Sequence, residues 1–362
     1  MRTPASSSCP GVRRPFFYTI ARGGSMLNSE RSFRRGAHRF VHAVMAISTL
    51  LTSAFWCIGA FAQSYPTRPI KLVVPFPAGG PADVLGRLIT QKLSESFGSP
   101  VIVDNRSGAN GIIGTDLVAK AAPDGYMMLI NTGSTTINAH VYSKLPYDLM
   151  RDLAPVTMVA APSGLVLVSH PSLGVSSVKD LIALAKQKPG QISFSSSGNG
   201  SALQLAGELF SAIAGVKLVH VPYKGAGPAF NDLLSGQVQL MFPATVSVMP
   251  YVNSGRLRVL AQTGATREPG LPNVPTLMEE GFGDFNITGW FGIWVPARTP
   301  GVIVRRLHAE IARALKLSDV RERFDALGVS PSGVSPEEFG KFVHEDYERI
   351  GKYVKQADIR LD

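Results

Sequence analysis

Short apolar runs alternate with segments of helical periodicity along the chain beyond residue 62. The run at 70–74 predicts a buried strand. The next segment repeats its apolar residues every three or four positions, which predicts a helix with one buried face. These apolar residues are Val84, Leu85, Leu88, Ile89 and Leu93. Because strands joined through helices pair in parallel, the alternation predicts an α/β protein built on parallel sheet.

The alternation of strand and helix occurs in two cycles, which predicts two lobes. The strands predicted in the two cycles are 70–74, 101–103, 127–130, then 166–168, 192–194, 217–221, 238–242 and 257–261. A late apolar strand at 290–295 precedes two further helices. The first of these helices opens at Thr299-Pro300, and the second opens at Ser335, three residues before Glu338, as in a capping box.

The first 62 residues have the pattern of a secretion signal. A cluster of arginines at 31–39 precedes an apolar run at 41–61, which ends in Ala60-Phe61-Ala62. This order predicts a signal peptide at residues 1–62, cleaved after Ala62, with Met26 as a possible true start. The alternative is an uncleaved membrane anchor, because about 20 apolar residues can span a bilayer. A cleaved signal of this kind predicts a bacterial periplasmic protein.

The leader also carries most of the positive charge. The whole chain has a net charge of +10, but residues 1–62 contain eight arginines, no lysine and one acid. The remaining chain has a net charge of +3 and no block of five like charges, which argues against a nucleic-acid partner. Both cysteines, Cys9 and Cys57, lie in the leader, so the mature chain would have no disulfide and no thiolate nucleophile.

Three glycine-rich loops join predicted strands to predicted helices and are the candidates for ligand binding. The first N–H groups of a helix have no acceptor within it, and its dipole favours an anion there. The candidate residues are Phe76, Pro77, Ala78, Gly79, Gly80 and Asp83 in the first loop, Ser197, Gly198, Asn199, Gly200 and Ser201 in the second, and Lys224, Gly225 and Ala226 in the third. Each loop is also compatible with a tight connection that binds nothing.

The loops match neither a nucleotide-binding fingerprint nor the nucleophile elbow of hydrolases. The histidines of the mature chain stand singly, so no metal site and no cofactor is predicted. A secreted serine hydrolase is an alternative, in which Ser195–Ser197 or Ser201 would need a base within hydrogen-bond reach. His220, at the end of a neighbouring predicted strand, is the candidate base. A protein without enzymatic activity is the primary interpretation.

Several motifs of the mature chain resemble the Bug family, the extracytoplasmic solute receptors of tripartite tricarboxylate transporters. They occur in order and are jointly specific, and they span nearly the whole mature chain. These motifs are YPTRPI at 65–70, PFPAGGPAD at 75–83, NRSGANG at 105–111, APDGY at 122–126, LPYD at 145–148, VPYKG at 221–225 and LPNVPT at 271–276.

The resemblance implies a type II periplasmic-binding-protein fold with two lobes, two parallel or mixed sheets and a two-strand hinge. Lobe 1 would comprise residues 63–168 and 288–362, and lobe 2 residues 169–287. A small carboxylate would be held by backbone amides in the cleft between them. The ligand residues that the resemblance implies are Pro77, Ala78, Gly79 and Gly80, then Gly133, Ser134 and Thr135, and in lobe 2 the residues 197–201 with Gly225 and Ala226. Gln204 stands where many relatives have His, so it is a candidate for altering ligand choice.

The resemblance also implies a receptor that closes on its solute about the hinge, without catalysis. The implied partners are the membrane subunits of a tripartite transporter, and a membrane sensor kinase is the alternative. The chain is expected to be a monomer. Candidate ligands are tricarboxylates, dicarboxylates, acidic amino acids and aromatic carboxylates.

Overall fold

The computed structural model describes residues 65–268 and 270–361, together with residue 45. Apart from that residue, the predicted signal peptide at 1–62, its cleavage site and the possible start at Met26 lie outside the described chain. The described residues form two five-stranded sheets flanked by helices. Each sheet mixes parallel and antiparallel pairs. The predicted two-lobed α/β fold is therefore confirmed.

The first sheet combines strands from both ends of the described chain, in the order β2-β1-β3-β10-β4. Its strands are β1 (Ile70–Val74), β2 (Val101–Asn105), β3 (Met127–Thr132), β4 (Leu153–Gly164) and β10 (Thr288–Pro296). The first three pair in parallel, whereas β10 runs antiparallel to both of its neighbours. The carboxyl ends of β1, β2 and β3 therefore lie at one edge of the sheet.

The helices that accompany this sheet come from the same two stretches of chain. They are α1 (Pro81–Phe97), α2 (Ile112–Ala119), α3 (Ser134–Val141), α4 (Leu149–Asp152), α9 (Gly301–Ala314), α10 (Ser318–Ala326) and α11 (Pro336–Gln356). The hydrophobic pattern predicts neither α3 nor β4. The sequence of α3 is rich in Ser, Thr and Asn, which are weak helix formers, and β4 contains Pro155.

The second sheet repeats the plan of the first, in the order β7-β6-β8-β5-β9. Its strands are β5 (Val166–Ser169), β6 (Ser193–Ser196), β7 (Val219–Pro222), β8 (Leu240–Met241) and β9 (Arg258–Gln262). Its helices are α5 (Val178–Gln187), α6 (Ala202–Ala214), α7 (Ala226–Leu234) and α8 (Thr245–Asn253). β6 is parallel to β7 and β8, so their carboxyl ends again share one edge.

The chain passes between the sheets twice. It leaves β4 at Gly164 and enters β5 at Val166, and it returns through residues 263–287 into β10. The predicted lobe boundary after Val168 falls inside β5. Thr263 links the two crossings, because its Oγ1 accepts from Leu165 N at 2.8 Å and donates to Ile287 O at 2.5 Å. The fully buried Thr263 thus joins the two segments in which the chain passes between the sheets.

Helix α11 packs against both halves of the described chain. Phe339 and Val343, in its first half, lie in an apolar cluster with Trp290 and Trp294 of the first sheet. Ile350, near its end, packs into the cluster around Phe194 of the second sheet and Phe210 of α6. Within the described residues, no helix combines the length and the apolar character needed to cross a membrane.

Candidate ligand-binding cleft

Asp83 organises the first glycine-rich loop from the first turn of α1. Its carboxylate is buried (2% exposed), and Oδ2 accepts from Gly79 N and from Arg87 Nε, both at 2.9 Å. Its other oxygen accepts from Asn105 Nδ2 at 2.9 Å, and that amide also donates to Phe76 O at 3.2 Å. Burial alone would raise the pKa of Asp83, but these hydrogen bonds outweigh it and lower the pKa. Asp83 is thus an anchor of the loop.

The same bonds change which amides of this loop can hold a ligand. Pro77 has no N–H, and the N–H of Gly79 is occupied by Asp83, so neither amide can donate to a ligand as predicted. Within the described parts of the chain, no hydrogen bond uses the N–H of Ala78 or of Gly80. Gly79 has φ +83° and open space at its Cβ position, so backbone conformation rather than crowding requires glycine there.

The start of α3 lies at the same edge of the first sheet, directly after β3. Gly133 is its N-cap, and Ser134 and Thr135 form its first turn; all three are buried. Their hydroxyls bond locally, with Ser134 Oγ 2.8 Å from Thr132 Oγ1 and Thr135 Oγ1 donating to Thr132 O at 2.9 Å. A first helical turn leaves its N–H groups without intrahelical acceptors. The N–H of Ser134 donates to Thr132 Oγ1 at 3.2 Å, so the backbone donors that this turn presents are those after Ser134.

The second glycine-rich loop is held largely by its own hydrogen bonds. Gly198 N donates to Ser196 Oγ at 3.1 Å, and Ser201 N donates to Gly198 O at 3.3 Å. Ser201 Oγ caps α6 by accepting from Gln204 N. Within the described chain, no hydrogen bond uses the side chains of Ser197 or Asn199, so these two side chains are the available donors of the loop.

Gly200 and Gln204 have structural roles in the second loop, and their predicted ligand roles stay predictions. Gln204 is buried, and its Oε1 accepts from Gly200 N at 2.8 Å, so this oxygen braces the loop. A Cβ on Gly200 would lie 2.6 Å from Asn138 Oδ1 and 2.9 Å from Asn110 Nδ2, both of which belong to the first lobe. The second loop therefore touches the first lobe at Gly200.

The third loop is more open. Tyr223 donates from its hydroxyl to Asp232 at 2.6 Å, which with burial raises the pKa of Tyr223 to about 12. Gly225 N donates to Ser197 O at 3.1 Å, so the second and third loops are joined. Lys224 and Ala226 are exposed. The structure brings these loops to one edge of the second sheet, and the ligand roles of their residues stay predictions.

Two residues at the contact between the lobes, Asn110 and Asn138, are not among the predicted site residues. Asn110 and Asn138 bond to each other, with Asn110 Nδ2 donating to Asn138 Oδ1 at 3.1 Å and Asn138 Nδ2 donating to Asn110 O at 3.0 Å. Asn110 has φ +48°, a left-handed conformation that Asn tolerates better than most residues. The Asn110-Gly111 pair, typical of tight turns, is the sequence signal for this geometry.

His220, the base that a serine hydrolase would need, lies next to a serine of the second sheet. His220 Nε2 lies 2.6 Å from Ser196 Oγ, so the predicted base does reach a serine. That serine is fully buried, however, and its Oγ also bonds both backbone groups of Gly198. Among the described residues no carboxylate bonds the His220 ring, and burial lowers its pKa to about 4. The pair has the features of a structural hydrogen bond.

The partly buried imidazole of His220 predicts that the stability depends on pH. An unfolded chain takes up a proton on His near pH 6.5, whereas folded His220 stays neutral down to about pH 4. The free energy of unfolding should therefore fall by roughly 1–3 kcal/mol as the pH drops from 6.5 to about 4. Below about pH 4 the protonation of His220 should cause no further loss. Urea unfolding at pH 7 and pH 4.5 should show a smaller loss in His220→Gln than in the unchanged protein. Equal losses would contradict the assignment.

A separate cavity of about 340 Å³ lies in the first lobe beside the end of α3. Its walls are formed by residues 139–151 and by Tyr347 of α11, and they include none of the predicted site residues.

The described residues contain no cluster of three or more His, Cys, Asp or Glu that could hold a metal ion.

Two mixed sheets joined by two crossings, with the second glycine-rich loop touching the first lobe at Gly200, are typical of a two-lobed solute-binding protein. The family model described as "Tripartite tricarboxylate transporter family receptor" matches residues 85–359. The chain belongs to this family. Protein BugT of Bordetella pertussis is 38% identical over 302 residues, which cover 83% of this chain and 92% of BugT. The predicted relationship to the Bug family is confirmed.

Solved structures agree with this assignment. An R. palustris protein, Rpa4515 with adipate, superposes with a TM-score of 0.74 at 37% identity and covers 82% of this chain and 99% of its own. MatC from Rhodopseudomonas palustris, with bound malate, has a TM-score of 0.72 at 30% identity and covers 80% of this chain and 100% of its own. The predicted type of fold is confirmed.

Proposed function

We propose that this protein is a periplasmic receptor that captures a small carboxylate between its two lobes and delivers it to a tripartite transporter. The observation that carries the proposal is the position of three donor-bearing elements: the loop at 76–80 and the first turn of α3 follow neighbouring parallel strands of the first sheet, and the loop at 197–201 contacts the first lobe at Gly200. The relatives solved with adipate and malate support a carboxylate as ligand.

The chemistry of these donors suits a carboxylate. The loop at 76–80 offers the N–H groups of Ala78 and Gly80, and α3 adds the donors of its first turn. Hydrogen bonds from backbone N–H groups to a carboxylate are charge-assisted and therefore stronger than neutral ones. Ser197 and Asn199 add side-chain donors from the second lobe. A ligand with two carboxylates could bond both lobes at once and favour the arrangement in which they touch.

Ligand binding can be tested on the mature chain from residue 63. Mass spectrometry of the native protein should show a co-purified acid, and calorimetry should measure binding of adipate, malate and citrate. Binding of at least one acid, with no binding of the matched amide adipamide, is the expected result. The proposal fails if none of these acids binds and the co-purified molecule lacks a carboxylate.

The partner in the membrane requires its own test. Transport of the bound acid by cells should disappear when this gene is deleted and return when it is restored. If uptake is unchanged while a transcriptional response to the acid is lost, the receptor serves a sensor kinase instead.

A further inference from the structure

The carboxylate of Asp346 on α11 is buried (2% exposed) and fully engaged. Its Oδ2 accepts from Thr136 Oγ1 at 2.7 Å and from Trp290 Nε1 at 3.3 Å, and its Oδ1 accepts from Arg349. Buried charges are tolerated when they are paired and hydrogen-bonded. We call these four residues, Asp346, Arg349, Thr136 and Trp290, the α11 carboxylate cluster.

Two members of the α11 carboxylate cluster bracket Gly133, the N-cap of α3. Thr136 Oγ1 lies 2.8 Å from Gly133 O as well as 2.7 Å from Asp346, so its single hydrogen is shared between them. A Cβ on Gly133 would lie 2.9 Å from Trp290 Nε1, so the indole ring packs directly on the glycine. The start of α3 is therefore fixed by groups that Asp346 holds.

We infer that Asp346 is a positioning residue for the first turn of α3, acting through Thr136 and Trp290. The inference rests on the proposed function, because Asp346 would orient the N–H groups that hold the ligand carboxylate. Donors of a binding site must be held within about half an ångström of the productive geometry. Without this support, the first turn of α3 would fray and its N–H groups would lose their common direction.

Arg349 makes this arrangement compatible with an anionic ligand. If the start of α3 binds an anionic ligand, an uncompensated negative charge on Asp346 behind it would repel that ligand. The Arg349 guanidinium lies against Asp346 and balances its charge. Removing Asp346 would leave Arg349 uncompensated and change both charge and folding, so Thr136 is the better residue to change.

Thr136→Val removes the hydroxyl and keeps the shape, the β-branch and the buried ion pair. Thr136→Ser keeps the hydroxyl and removes a methyl group, so it is the matched control. Both variants are measured in the mature chain by calorimetry with adipate, malate and citrate, and by hydrogen exchange of the ligand-free protein. Exchange is followed at Ile137, whose N–H donates to Gly133 O at 3.3 Å.

We expect Thr136→Val to weaken binding at least tenfold and to speed exchange at Ile137 at least fivefold, while Thr136→Ser stays within threefold of the unchanged protein in both. A lower melting temperature with unchanged affinity and exchange would overturn the inference, because it would show a merely structural role. An equal loss in Thr136→Ser would overturn it too. If the unchanged protein binds none of these acids and its co-purified molecule lacks a carboxylate, the proposed function fails, and the exchange data still decide the positioning role.

Discussion

Replacing Gly200 with alanine is expected to weaken carboxylate binding at least tenfold, about 1.4 kcal/mol. The new Cβ would lie 2.6 Å from Asn138 Oδ1 and 2.9 Å from Asn110 Nδ2. These atoms cannot move aside cheaply, since Asn138 is fully buried and the two amides bond each other. Under the proposed closure of the lobes on the ligand, the clash arises only when the lobes touch, so it would penalise the ligand-binding arrangement.

Alanine at this position also strains the backbone, because Gly200 has φ +78°. That strain is present whether the lobes touch or not, so it lowers stability without lowering affinity. Gly255→Ala is the matched control, with φ +72° in the same lobe and no atom within 4 Å of the new Cβ. Calorimetry should find normal affinity in the control, and scattering should show ligand-induced compaction there but not in Gly200→Ala. Equal affinities in the two variants would refute closure through this contact.

The second large effect is expected for Asp83→Asn, which should weaken binding about 10- to 100-fold. The carboxylate accepts from Gly79 N, Arg87 and Asn105, and an amide in its place would set a donor against donors. The loop at 76–80 would lose the anchor that orients the N–H groups of Ala78 and Gly80.

Arg87→Gln separates this anchoring from a simple ion pair. The Arg87 side chain is 57% exposed, and exposed salt bridges contribute little to stability. We expect Arg87→Gln to bind within threefold of the unchanged protein, as measured by calorimetry at pH 7. If it loses as much affinity as a folded Asp83→Asn, the ion pair rather than the backbone anchor maintains the loop.

Local patterns predict most of the elements but not all of them. Except for β4, the strands of both sheets follow from short apolar runs, because burial of such runs is the main driving force for a strand between helices. Helix α3 does not follow from its sequence, which is rich in residues with weak helix propensity. It forms because its hydroxyls find acceptors at Thr132, Gly133 and Asp346, the last of them 210 residues away.

The site shows the same division between local and distant contacts. The first glycine-rich loop could be recognised as a helix start from its sequence, since helix starts and glycine conformations depend on neighbouring residues. The sequence does not show which amides of this loop stay free. Gly79 N is occupied by Asp83, whose carboxylate also accepts from Asn105. The sequence likewise predicts Gly200 as a ligand residue, and only the structure shows that it lies against the first lobe.

By itself, the sequence determined the α/β class, the two cycles of strand and helix, the family and the three glycine-rich loops. Each of these depends on residue types and spacings over short stretches of chain. Only the tertiary structure decided which donors remain free, which glycine touches the opposite lobe and which helix supports the start of α3. These features arise from pairs of groups far apart along the chain, and folding alone brings such groups within hydrogen-bond distance.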